Sequence, residues 1–85
     1  MVAVGPQIDA FLASGDIRHP ATAHVLESRV RRALWLIDHG RECQARLTLK
    51  LLIQELVLFA RVRLVKPVVR DTLVPQVQQA ITRLP

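Results

Sequence analysis

The chain has 85 residues, a net charge of +5 and one cysteine, which together limit it to one domain with no intrachain disulfide and no all-cysteine metal site. Such a chain buries only about 60–65% of the surface its unfolded form exposes. With 51% hydrophobic residues but only Phe11, Phe59 and Trp35 as aromatics, the core must be built from Leu, Val, Ile and Ala.

In chain order, Gly5-Pro6 opens an apolar-periodic segment with Ile8, Phe11 and Leu12 on one face, and Gly15 closes it. The pattern predicts a short helix over Gln7 to Ser14, ended by a C-terminal glycine. Asp16 to His19 reads as a loop, and Pro20 suits the first position of a second helix running to about His39. Its apolar stripe is Leu26, Val30, Ala33, Leu34 and Ile37. Trp35 lies roughly opposite, beside Arg31, Arg32 and His39. Exposed Trp and Arg are enriched at binding hot spots, so Trp35 is a candidate contact residue. The competing expectation folds it over the Arg stems or over the end of the first helix.

Gly40 ends the second helix, and a third is expected from about Arg41 to Arg63, with Lys66-Pro67 as the interruption. This helix carries two apolar stripes. Ala45, Leu49, Leu52, Ile53 and Leu56 form one, and Leu47, Leu51, Leu58 and Val62 the other, with Gln54 and Arg61 at its edge. A helix apolar on both sides is central in its fold or covered by a partner. Asp71 and Thr72 are candidate caps of a last helix reaching about Leu84, with Pro75 in its first turn. Its Val74, Val77, Ile81 and Leu84 are expected to cover part of the second stripe; the alternative is full coverage within one chain. The fold class is therefore all-α, a small antiparallel bundle of three to four helices forming one domain over residues 1–85.

Chemistry is sparse. His19, His24, His39 and Cys43 lack the paired spacing of a zinc site, and Gly40 separates His39 from Cys43. These read as solvent-facing histidines and a small buried cysteine, so no metal or other cofactor is expected. Glu55, the one acid in the apolar part of the third helix, is expected to pair with a nearby Arg. No phosphate loop or catalytic motif is present, and the expectation is not an enzyme.

Of the twelve basic residues ten are Arg. Arg29, Arg31 and Arg32 cluster on the second helix, and Arg61, Arg63, Lys66 and Arg70 lie around the end of the third; these are the candidate anion-binding residues. A nucleic-acid accessory protein is thus the alternative reading, although the third helix is too apolar to lie in a DNA groove. No apolar run reaches the ~20 residues of a membrane span, and the first residues lack the pattern of a signal peptide.

The order of features resembles the FIMAH-type helical modules of bacterial secreted and cell-surface proteins. The resemblance rests on residues 8–17, from Ile8-Asp9-Ala10-Phe11 to Ser14-Gly15-Asp16-Ile17, then Leu36-Ile37-Asp38-His39-Gly40, Ala45, Leu49, Leu52-Ile53 and Leu56. The tail Leu73-Val74, Val77 and Ala80-Ile81 completes it, so nearly the whole chain is covered. It implies a non-catalytic accessory, spacer or interaction module, on a cell surface or secreted; without it the cytoplasm is the expectation. Such modules usually sit inside long proteins, whereas this chain starts at Met1, is basic and carries the second stripe. These departures point to association, or to a module excised from a larger protein. The partner expected is another protein or a second copy, met through Trp35, Leu47, Leu51, Leu58 and Val62.

Overall fold

The computed structural model describes residues 4–84 and contains four helices: α1 (Val4–Ser14), α2 (Pro20–Asp38), α3 (Glu42–Arg61) and α4 (Pro67–Arg83). They form an all-α antiparallel bundle with α3 at its centre, packed against α2 on one flank and α4 on the other. α1 lies against α2 and reaches α4. The core joins Val4 and Ile8 of α1 to Ala23, Leu26, Val30 and Ala33 of α2, then to Leu49, Leu52 and Leu56 of α3 and Val69, Leu73 and Val77 of α4.

α1, α2 and α3 end alike. In each, a residue in the left-handed region lets two consecutive N–H groups turn back onto the last carbonyls, which closes the helix. At the end of α1, Gly15 (φ 86°) and Asp16 donate to Leu12 and Phe11. After α2, Gly40 (φ 71°) and Arg41 donate to Ile37 and Leu36. After α3 the same place is held by Arg63 (φ 65°), with bonds from Arg63 and Leu64 to Ala60 and Phe59. A glycine there would have marked the stop; an arginine does not.

The connections after α1 and α3 meet at one end of the bundle. Arg18 N–H donates to the Leu64 carbonyl at 3.2 Å, and Lys66 N–H to the Asp16 carbonyl at 2.8 Å. This short antiparallel bridge seats Ile17 and Val65 in the core. It has no local sequence signal, because its two halves come from distant loops. Each connection then enters the next helix through an extended residue followed by proline, His19-Pro20 and Lys66-Pro67.

Four expectations are corrected. α4 begins at Pro67, not at Asp71 or Thr72, because Pro67 itself supplies the helix start. Pro75 consequently sits inside α4; it and Asp71, whose carbonyl it leaves without an i+4 donor, are both exposed. α1 is already helical at Val4, the first described residue, rather than from Gln7, and Val4 is fully buried. The buried face of α2 is also rotated slightly from the expected one. Leu26, Val30 and Ala33 are buried as expected, but Leu36 is buried while Leu34 and Ile37 are only partly so.

Candidate interaction surface

α3 turns Ala45, Leu49, Leu52 and Leu56 into the protein, with Ile53 at the edge. Its opposite face carries Leu47, Leu51, Leu58 and Val62, which remain 59%, 48%, 51% and 53% exposed. At ~100° per residue the four fall within about 60° of arc, with Gln54 at its edge. α4 was expected to cover part of this stripe, and about half of each of the stripe's side chains stays open to solvent. In α4, Val69, Leu73 and Val77 go to the core, with Val74, Ile81 and Leu84 packed beside them. The chain therefore does not hide its second stripe, contrary to the full-coverage alternative.

Trp35 is 45% exposed on α2. It stacks on His39 with ring centroids 4.0 Å apart, and the Arg32 guanidinium lies 5.4 Å from its ring centroid. His39 Nδ1 donates to the Trp35 carbonyl at 2.8 Å, which fixes the imidazole against the indole. The result is an exposed platform of two rings and a cation at the end of α2, so the expectation that Trp35 folds over Arg stems holds in part, without removing it from solvent.

The basic residues separate into groups the linear clusters did not show. Arg29 Nε donates to Glu55 Oε1 at 2.7 Å, tying α2 to α3; this is the arginine pairing expected of Glu55. Arg70 pairs with Asp71 at 3.1 Å, Arg31 reaches Ser28 Oγ at 3.4 Å, and Arg32 is on Trp35. Arg61, Arg63 and Lys66 do come together, and the loop bridge adds Arg18, which the sequence clusters missed.

Between α1 and α2 lies an open groove of about 360 Å³, where Asp9 faces Glu27. Glu27 is held above its ordinary value of 4.5, first because its neutral carboxyl hydrogen-bonds Asp9, then through burial and the Asp9 charge, with His24 and Arg31 pulling the other way. Cys43 is exposed, which corrects the buried cysteine expected from the sequence: it sits in the first turn of α3 on the side away from the core. Among the described residues no three His, Cys, Asp or Glu side chains come together as metal ligands. No helix among them is long and apolar enough to cross a membrane.

No family model, curated protein or solved structure matches the chain.

Proposed function

We propose that this protein is a non-catalytic helical interaction module that binds protein through the outer face of α3, a second copy of itself being the simplest partner. One observation carries the reading: four large apolar side chains lie in a single stripe opposite the core face of the same helix, each about half exposed. Large apolar side chains grouped on one exposed helix face, rather than scattered singly, mark interaction sites. The Trp35, His39 and Arg32 platform supplies residue types favoured at hot spots. The FIMAH-type resemblance supports the same class of function.

A nucleic-acid reading has less support, because Arg29, Arg70 and Lys66 already engage carboxylates. The test is the solution mass by light scattering over a concentration series, for the wild type and for a Leu51→Glu/Leu58→Glu variant. The expected result is concentration-dependent association that the variant abolishes while keeping its helical signal. A wild type that stays monomeric and binds no other protein, or a variant that associates unchanged, would overturn the reading.

A further inference from the structure

At the end of the bundle where the two loops cross, a cleft of about 300 Å³ is lined by Arg18, Arg61, Arg63 and Lys66, with Ala60 and Val65 among its apolar walls. The cations come from two separate loops and the last turn of α3. They are held together by the Arg18–Leu64 and Lys66–Asp16 backbone hydrogen bonds. Only one carboxylate is engaged here: Asp16 Oδ1 lies 3.4 Å from Lys66 Nζ, and its Oδ2 accepts from Ser14 Oγ. Arg18, Arg61 and Arg63 have no acidic partner among the described residues.

Gathering unpaired like charges around a cleft is unfavourable in the absence of an anion, and apolar walls strengthen the positive potential inside it. Arg63 adds a second observation. It occupies a left-handed position that glycine fills at the two corresponding helix ends, so an arginine stands there against backbone preference. Its side chain lines the cleft.

We infer that this cleft is a binding site for a small phosphorylated anion, of the class that carries two adjacent phosphoryl groups. Planar guanidinium forks match phosphoryl oxygens with paired, charge-assisted hydrogen bonds. The volume is at the low end for a ligand site. No aromatic residue lines it to stack a base, so recognition is of the phosphoryl groups themselves. A long polyanion fits less well, because the cations converge on one cleft rather than running along a face.

The test is titration of the full chain with inorganic pyrophosphate at about 10 mM ionic strength, where screening is weak, followed by calorimetry and amide chemical shifts. Binding of one pyrophosphate per chain is expected, with shifts centred on residues 15–18 and 61–67. Arg18→Gln and Arg63→Gly should each weaken it about tenfold or more, as expected for loss of a charge-assisted hydrogen bond. Arg63→Gly suits the local backbone, so its loss of binding cannot come from misfolding. Arg41→Gln, at the other end of the bundle, should bind as the wild type does. No binding at millimolar pyrophosphate, or equal weakening by Arg41→Gln, would overturn the inference. So would binding to duplex DNA or phosphatidylglycerol vesicles without binding to pyrophosphate.

Discussion

Replacing Arg63 with glycine should stabilise the protein, whereas replacing Gly15 or Gly40 with alanine should destabilise it. All three positions close a helix with the same bonds at φ 65°, 86° and 71°. Holding an L-residue in this region costs about 1–2 kcal/mol. Glycine avoids that cost but loses about 0.5–1 kcal/mol more backbone freedom on folding. The difference gives Arg63→Gly a net gain of roughly 0.5–1 kcal/mol, and each Gly→Ala change a loss of about the same size or slightly more. A Cβ at Gly15 or Gly40 would meet nothing within 4 Å, so the effect there comes from the backbone alone. For a domain of this size 1 kcal/mol moves the melting temperature by about 4–8 °C. Thermal denaturation followed by helical circular dichroism should therefore show a rise of several degrees for Arg63→Gly and a comparable fall for Gly40→Ala. Arg63→Asn should stay near or slightly above the wild type, because Asn tolerates the left-handed region. A less stable Arg63→Gly protein, or a neutral Gly40→Ala, would refute the reasoning and mean that side-chain contacts outweigh backbone preference at these turns.

Leu52 is 1% exposed in the middle of α3, and Leu52→Ala should cost about 2–5 kcal/mol; a melting temperature within a few degrees of the wild type would show that the centre of the bundle is not packed as described. Glu27 holds its proton more tightly when folded than when unfolded, so its protonated form stabilises the fold below pH 4.5 and that stabilisation is lost as pH rises through the raised folded value. Glu27→Gln cannot ionise, and its stability relative to the wild type, measured by urea unfolding across pH, should increase as pH climbs from about 4 to 7; a pH-independent difference would contradict the pairing with Asp9.

The helix order and the core face of α3 were legible because glycine, proline and period-3.6 patterns are local. Gly15, Gly40 and Pro20 mark their boundaries through their own backbone chemistry, and Ala45, Leu49, Leu52 and Leu56 repeat at helical spacing. What was misread depended on distant residues or on choices between good local signals. Asp71 and Thr72 are reasonable caps, but Pro67 can start a helix earlier, and packing of Val69 and Leu73 into the core favours that start. The end of α3 near Arg63 was legible only through Lys66-Pro67 downstream, because the left-handed residue that closes the helix is an arginine and not a glycine. Arg18 joins Arg61, Arg63 and Lys66 only through a bridge between two loops, so the cationic cleft cannot be read from either cluster alone.

The magnitudes also separate the two surfaces. Fully burying a Leu or Val side chain stabilises by about 1.5–3 kcal/mol. Side chains already half buried hold back about half of that, so four of them contribute ~3–6 kcal/mol, and two copies ~6–12 kcal/mol. Association itself costs at least about 4 kcal/mol. The stripe alone then supports a dissociation constant between roughly tens of millimolar and micromolar. Nanomolar self-association would require more contact, such as the exposed Trp35 or Val57 could add. Each copy also carries +5, so self-pairing works against like-charge repulsion. Raising the salt from about 20 to 500 mM should therefore tighten self-association through the stripe, because screening removes the repulsion. The same change should weaken pyrophosphate binding at the Arg18, Arg61, Arg63 and Lys66 cleft, because there screening removes the attraction. Opposite salt responses in one sample would assign the two activities to two surfaces, and a shared response would mean that one surface serves both.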